Sequence, residues 1–364
     1  MKIKRPIMIV AGGTGGHIYP GLALARELKE RSQDVVWLGT KKGLEAELVS
    51  EANIEINWIS VPRLRGLGYL AWLLSPFRLL ISIIQTLVIF YKCNPSVVVG
   101  FGGFVSGPGG FVAWLTRRPL LIHEQNAIAG SSNKILAKFA SEIFAAFPNS
   151  FPDKVESKII GNPIRKSILN ILSPEERFFE RLEKKLVINI LVLGGSQGSR
   201  ALNFKIPKIL KEVKRDIDLN VWHQVGKDKS SIEDIYKNYE VKAKVENFIF
   251  NIADAYKWAD IVVCRAGALT ISELEIVGIG AILIPLPNSI DNHQYKNAIS
   301  FCSNGAGLII LENELGLKLS RKKIINLCKN KKELINLANN ARKNAKRGAT
   351  KILADTCIKF ANRI

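Results

Sequence analysis

The chain has 364 residues, 47% hydrophobic and 23% charged, which excludes collagen-like, low-complexity and disordered classes and is long enough for two hydrophobic cores. Its 52 Lys and Arg against 32 Asp and Glu give a formal charge of +20, suited to nucleic acid, an anionic membrane or a polyanionic substrate; the eleven basic residues of 321–351 read equally as a solvated face. Five scattered cysteines without a C-x-x-C pair argue against a disulfide framework or zinc ribbon and fit a reducing cytoplasm.

After Lys2, Lys4 and Arg5, the first apolar run (6–11) stops at Gly12, Gly13, Gly15 and Gly16, too short for a signal peptide, so the glycine loop is expected to belong to the mature fold. A helical pattern over 20–31, a strand at 34–39, a helix at 43–51 and a strand at 54–61 follow, the rhythm of βαβ units on a parallel sheet. Residues 63–92 are the most apolar stretch. Its uninterrupted part after Arg78 is short of the roughly 20 residues needed to span a bilayer. Arg63, Arg65, Arg78 and Lys92 beside Tyr69, Trp72, Leu73, Leu74 and Phe77 have the composition of an interfacial patch on anionic lipid, or alternatively of a buried core helix.

The strand at 96–100 leads into the glycine-rich GFGGFVSGPGG, and the strand at 119–124 ends in His123-Glu124. The proline-containing segment 147–181 reads as a link, with the boundary near 161–165. From Leu186 the strand, glycine loop and helix recur in LVINILVLGGSQGSRALN. One helix is expected over about 331–361, capping its domain or crossing back to the first half.

Neither glycine loop completes G-x-G-x-x-G with a following acidic residue, and no G-K-[ST] follows either, which argues against NAD and ATP. What the loops offer is backbone N–H groups and a helix N-terminus for an anion. In the second half, Gly267 to Thr270 open a helix with Glu273 one turn in, placed to accept from sugar hydroxyls while the helix end holds a diphosphate. A nucleotide-sugar pocket fits these pieces. His17, at the carboxyl end of a strand, has the chemistry to deprotonate a sugar hydroxyl; the alternative is a structural histidine. No H-E-x-x-H cluster is present, so no protein-bound metal is expected, and Asp216-Ile217-Asp218 reads as surface.

GGTGGHIYPGLALA, GFGGFVSGPGG, HEQNAIAGSSNK, GNPIR, GGSQGS, ADIVVCRAGALTISE and DNHQYKNA, in this order over nearly the full length, resemble glycosyltransferase family 28, and within it the enzymes that add N-acetylglucosamine to lipid I. The resemblance implies an α/β GT-B fold of two Rossmann-like parallel-sheet domains facing each other across a cleft. An acceptor-binding, membrane-associating domain is expected at 1–162, a UDP-sugar domain at 163–345, and a C-terminal helix at 346–364. It implies inverting transfer, with no metal or other cofactor, from UDP-N-acetylglucosamine to the C4 hydroxyl of the muramoyl sugar on undecaprenyl pyrophosphate, at the cytoplasmic face of the inner membrane.

Carried over by position, Thr14, Gly15, Gly16, Asn126, Arg165, Ser196, Ile249, Ala268, Leu269, Thr270, Glu273 and Gln294 would bind the donor. Gly102, Gly103, Phe104, Ser106 and His123 would face the acceptor, with His17 as general base and Glu124 as the second candidate. Phe104 stands where many members have tyrosine, and His293 where the first of two glutamines is usual. The competing readings are a related transferase acting on diacylglycerol, which should lack HEQNAIAG, and a non-catalytic anion or nucleic-acid binder, which leaves His17, Glu124 and Glu273 unexplained; no nucleic-acid partner is expected.

Overall fold

The computed structural model describes residues 5–61, 74–182, 187–195 and 197–363. Ser196 and the residues Arg63, Arg65, Tyr69, Trp72 and Leu73 of the expected membrane patch lie outside them. The chain divides into two compact units, Met1–Arg165 with Arg347–Ile364, and Lys166–Lys346.

In the first unit seven strands form one parallel sheet: β1 (Ile7–Val10), β2 (Val35–Gly39), β3 (Glu55–Trp58), β4 (Val97–Gly100), β5 (Leu120–Glu124), β6 (Glu142–Ala145) and β7 (Lys158–Ile159), in spatial order β3-β2-β1-β4-β5-β6-β7. β1, β4 and β5 are buried along their whole length. The apolar runs of β1 and β4, and of β5 up to Ile122, are what a parallel sheet covered on both faces requires. The helices are α1 (Gly15–Glu30), α2 (Glu45–Glu51), α3 (Ser75–Cys93), α4 (Ser106–Leu115) and α5 (Ser131–Leu136). Strand order reverses between β1 and β4, and at such a switch point the loops leaving the two strands part and leave room for a ligand.

The second unit repeats the plan with a six-stranded parallel sheet: β8 (Val187–Leu193), β9 (Asp218–Gln224), β10 (Ala243–Glu246), β11 (Ile261–Cys264), β12 (Gly280–Leu283) and β13 (Gly307–Ile309), ordered β10-β9-β8-β11-β12-β13. Here the reversal lies between β8 and β11. Its helices are α6 (Lys166–Leu169), α7 (Pro174–Leu182), α8 (Arg200–Lys214), α9 (Lys229–Asn238), α10 (Ile252–Trp258), α11 (Ala268–Val277), α12 (His293–Cys302), α13 (Lys318–Lys329) and α14 (Lys331–Lys343). Arg177 on α7 binds α11 from below, donating to the carbonyls of Val277 at 3.0 Å and Gly278 at 2.6 Å. A guanidinium there satisfies carbonyls that the helix end leaves without intrahelical partners.

Two expectations are corrected. The first helix begins at Gly15, five residues ahead of the expected start at 20. Glycine's low helix propensity hides this turn, which the Thr14 carbonyl closes by accepting from His17 and Ile18. The expected single helix over 331–361 is two, α14 and α15 (Ala349–Ala361), separated at Asn344–Gly348. The break lets Leu334, Leu337, Ala338 and Ala341 enter one core while Leu353, Ala354 and Cys357 enter that of the first unit against α1. Arg31, which caps the end of α1, pairs with Asp355 of α15.

Candidate active site

The β1–α1 turn is built from the backbone outward. Thr14 caps α1 with extended φ and ψ of −110° and 155°, and its carbonyl accepts from the N–H of His17 and Ile18 at 3.1 and 3.3 Å. Gly13, Thr14 and Gly16 are exposed, so the first-turn N–H groups at Gly15 and Gly16 present a partial positive charge to solvent or ligand. The loop after β4 lies directly against this turn. A Cβ at Gly103, whose φ is +80°, would stand 2.4 Å from the Gly12 carbonyl oxygen, so only glycine permits the approach. At Gly102 a Cβ would meet the His17 ring at 3.1 Å. Phe104 is 40% exposed beside them.

Ser106 is buried and its hydroxyl is committed within the loop, donating to the Gly102 carbonyl at 2.7 Å and accepting from the Gly102 N–H at 3.0 Å. It shapes the loop on which Gly102, Gly103 and Phe104 stand. Below the loop, Glu45 of α2 is fully buried. Its carboxylate accepts from the N–H of Gly13 at 3.0 Å, the N–H of Thr40 at 3.0 Å and the Thr40 hydroxyl at 2.7 Å.

From the end of β5, Glu124 turns inward. One carboxylate oxygen accepts from the Asn126 N–H at 2.9 Å and the Asn126 side-chain amide at 3.2 Å; the other accepts from the Gly130 N–H at 3.0 Å and the Asn133 amide at 2.9 Å. Four donors fold 126–133 around it. His123 is buried, with Nε2 2.9 Å from the Gly161 carbonyl oxygen, and burial pushes its imidazole down to about 4. His17 Nδ1 lies 2.8 Å from Gln125 Oε1. Arg165 stacks over the Tyr19 ring at 4.9 Å.

His123 and the equally buried His223, pushed down to about 3 in the second unit, give a pH prediction. Each binds a proton more readily unfolded than folded, so the stability each neutral ring contributes is present above about pH 6.5 and is lost as pH falls through the folded values. Urea titrations from pH 7 to pH 4 should show losses of about 2–3 kcal/mol per histidine, with His223→Gln flattening one part; pH-independent midpoints would exclude it.

In the second unit the β8–α8 turn is held by its neighbours. Ser199 caps α8 and receives a 2.7 Å hydrogen bond from Arg265 Nη2. Arg265 also pairs with Glu312 and donates to the carbonyls of Ile284 and Pro285. Gln224, at the end of β9, donates to the Gly195 carbonyl at 2.8 Å and accepts from the Ile249 N–H at 2.9 Å, which joins the turn to the segment at Ile249. α11 opens at Ala268, Leu269 and Thr270 behind the extended cap Gly267. One turn on, buried Glu273 accepts a 2.9 Å hydrogen bond from the Tyr256 hydroxyl. Gln294 accepts from the Leu286 N–H at 2.9 Å. Asp216 pairs with Lys329, and Asp218 begins β9 at the end opposite Gln224, as surface residues do.

The proposed residues therefore fall into two sets. Thr14, Gly15, Gly16, His17, Gly102, Gly103, Phe104, Ser106, His123, Glu124, Asn126 and Arg165 belong to the first unit, and Ile249, Ala268, Leu269, Thr270, Glu273 and Gln294 to the second. Glu45, Gln125, Gln224, Tyr256 and Arg265 were not assigned from sequence. Only Gln125 and Arg265 carried a signal, since both lie inside the motifs quoted above.

Two parallel-sheet domains, each opening on a glycine turn at its switch point, with a carboxylate one turn into an anion-ready helix, define a nucleotide-sugar glycosyltransferase of the GT-B type. The particular lineage follows from comparison: the chain belongs to glycosyltransferase family 28, whose N-terminal domain profile matches residues 7–145 and whose C-terminal domain profile matches 189–355. It is 44% identical to the UDP-N-acetylglucosamine–N-acetylmuramyl-(pentapeptide) pyrophosphoryl-undecaprenol N-acetylglucosamine transferase of Nitrosococcus oceani, over 98% of this chain and 99% of that protein. The protein of the same name from Coxiella burnetii is 43% identical over 97% and 98% of the two chains. Among solved structures, MurG of Acinetobacter baumannii superposes with a TM-score of 0.84 at 34% identity, covering 98% of this chain and 99% of that one.

Proposed function

We propose that this enzyme transfers N-acetylglucosamine from UDP-N-acetylglucosamine to the muramoyl sugar of undecaprenyl-pyrophosphoryl-MurNAc-pentapeptide, converting lipid I to lipid II. The observation that carries this reading is the near-full-length identity to relatives bearing that activity in their names. The C4 oxygen of the acceptor attacks the anomeric carbon, the bond from that carbon to the β-phosphate oxygen breaks, and the configuration inverts. His17 takes the hydroxyl proton, and the electron pair leaves with UDP, whose developing charge the α11 N-terminus and the glycine turn before α8 stabilise. Gly15 and Gly16 supply N–H groups to an anion, and Glu273 receives the ribose hydroxyls. The test is transfer of labelled N-acetylglucosamine to a short-chain lipid I analogue with EDTA present, beside UDP-glucose with diacylglycerol. Turnover of only the second pair would assign the fold and overturn the acceptor.

If Glu273 holds the ribose, Tyr256 sets its rotamer. Tyr256→Phe is expected to raise the KM for the donor roughly threefold to tenfold, the worth of one hydrogen bond to a charged group, with kcat within twofold. An unchanged donor KM in steady-state kinetics would remove Tyr256 from that role.

The second part of the proposal is peripheral docking on the anionic inner face of the membrane. α3 supports it: its 19 residues are long and apolar enough to cross a bilayer by length and composition, yet only 17% of that window is buried. The helix turns Ser82, Gln85 and Thr86 toward the domain, with Ser82 donating to the Ser60 carbonyl and Gln85 accepting from the Ser60 N–H. Phe77, Leu80, Ile81, Ile84, Val88 and Tyr91 face outward, between 49% and 91% exposed. A helix bound to its own domain along one side lies in the interface rather than crossing it, and the exposed cations Arg78, Lys92 and Arg117 suit anionic headgroups. Sedimentation with vesicles containing phosphatidylglycerol tests it; binding that survives Ile84→Glu with Val88→Glu would overturn this face.

A further inference from the structure

Beneath His17 runs a line of hydrogen bonds whose direction is fixed at its far end. His123 Nε2 faces the Gly161 carbonyl oxygen at 2.9 Å. A carbonyl only accepts, so Nε2 bears the proton, and in the neutral buried ring Nδ1 carries a lone pair. Gln125 Nε2 stands 3.1 Å from that lone pair and 2.8 Å from the His123 carbonyl oxygen. Both are acceptors, and the carbonyl alone would settle the matter: the amide NH2 belongs on this side. The amide oxygen must then be the atom 2.8 Å from His17 Nδ1. An amide oxygen cannot donate, so the proton in that bond is on His17.

We propose that Gln125 is a positioning residue that holds His17 as the Nδ1–H tautomer, leaving Nε2 as the atom that accepts a proton. Gln125 brings no charge to the line. A carboxylate in the place of Gln125 would orient the ring and also favour the imidazolium; an amide orients without holding the proton there, which suits a group that must release it after each turnover. Gln125 can do this because it is itself buried, so water does not compete for its oxygen. The ring cannot take the opposite tautomer without setting two lone pairs against each other across 2.8 Å. The line ends at Gly161, just after β7, so the orientation of the ring is anchored in backbone on both β5 and the segment leaving the sheet.

The catalytic consequence rests on His17 as the base, but the tautomer does not, and the experiment separates them. Protein labelled with 15N-histidine is observed by long-range 1H–15N correlation above the imidazole titration, the His17 pair being identified among the four histidines by its loss in His17→Ala. The expected spectrum shows His17 with a protonated Nδ1 and an unprotonated Nε2. In Gln125→Met, which removes the acceptor at similar volume, that pattern should collapse toward the Nε2–H or averaged form, with kcat falling about tenfold to a hundredfold and donor KM within twofold. An Nε2–H pattern for His17 in the parent protein overturns the proposal; so does an unchanged pattern in Gln125→Met. The expected tautomer together with full activity in His17→Ala upholds the positioning and overturns only the base.

Discussion

Glu45→Ala is expected to destabilise the first domain by about 3–5 kcal/mol and to abolish transfer. Two glycines make room for the Glu45 carboxylate. A Cβ at Gly43 would stand 2.0 Å from one of its oxygens, and one at Gly12 would stand 2.7 Å from the other. Without the side chain, the N–H groups of Gly13 and Thr40 and the Thr40 hydroxyl lose the acceptor that the buried carboxylate supplies. Each such loss costs about 1–3 kcal/mol, and the vacated volume adds to it. Functionally, the Gly13 N–H is the hinge of the turn: Gly13 has a φ of +96° and sets the direction in which Gly15, Gly16 and His17 leave the sheet. Glu45→Gln separates the two effects. An amide can offer oxygen to Thr40 or to Gly13 but not to both, so this variant should remain folded, lose about 1–3 kcal/mol, and still lose most of its turnover. Urea denaturation followed by intrinsic fluorescence, with the transfer assay alongside, measures both. Wild-type activity in Glu45→Gln would mean that the turn holds its shape without the carboxylate.

The parts of the fold that were legible in the sequence are those whose cause is local. β1, β4, β5 and β11 are short apolar runs bounded by glycine or polar residues, and a strand buried on both faces leaves that mark whatever lies beside it. The glycine turns were equally visible, because close backbone approach excludes any side chain. The start of α1 was not, since Gly15 and Gly16 oppose helix by propensity and are held in its first turn by the Thr14 carbonyl, which accepts from His17 and Ile18. Nor was the break at Asn344–Gly348: the apolar spacing of Leu334, Leu337, Ala338 and Ala341 continues to Ala345, and nothing in that spacing says that the next turn serves a different core. The supporting residues of the site were the least legible. Gln125 meets His17 across 108 positions, and Glu45 meets Gly13 across 32. Such a role is created by the fold that brings the two together, and no residue type or spacing announces it. His17 and Glu273 could be singled out from sequence because each follows a glycine-containing turn within the first turn or two of a helix.

His17→Ala is expected to lower kcat by about 10²- to 10⁴-fold, the usual contribution of a positioned general base, while the KM values for donor and acceptor change little, because a general base acts in the transition state more than in ground-state binding. The ring is partly exposed at the start of α1, so the variant should melt with the parent, and the loss can be read as chemistry rather than folding. The geometry sets Glu124 apart on this point. Its two oxygens are occupied by four donors from Asn126, Gly130 and Asn133, so removing a proton from the acceptor would require breaking the bonds that fold the loop carrying it. Glu124→Ala should therefore lose stability, on the order of 2–4 kcal/mol for several buried donors left unpaired, and activity with it. Single-turnover transfer with donor bound in excess isolates the chemical step for both variants. A His17→Ala enzyme that transfers at the parental rate in that assay would hand the proton to another acceptor, and a Glu124→Gln enzyme that stays fully stable yet cannot transfer would name it.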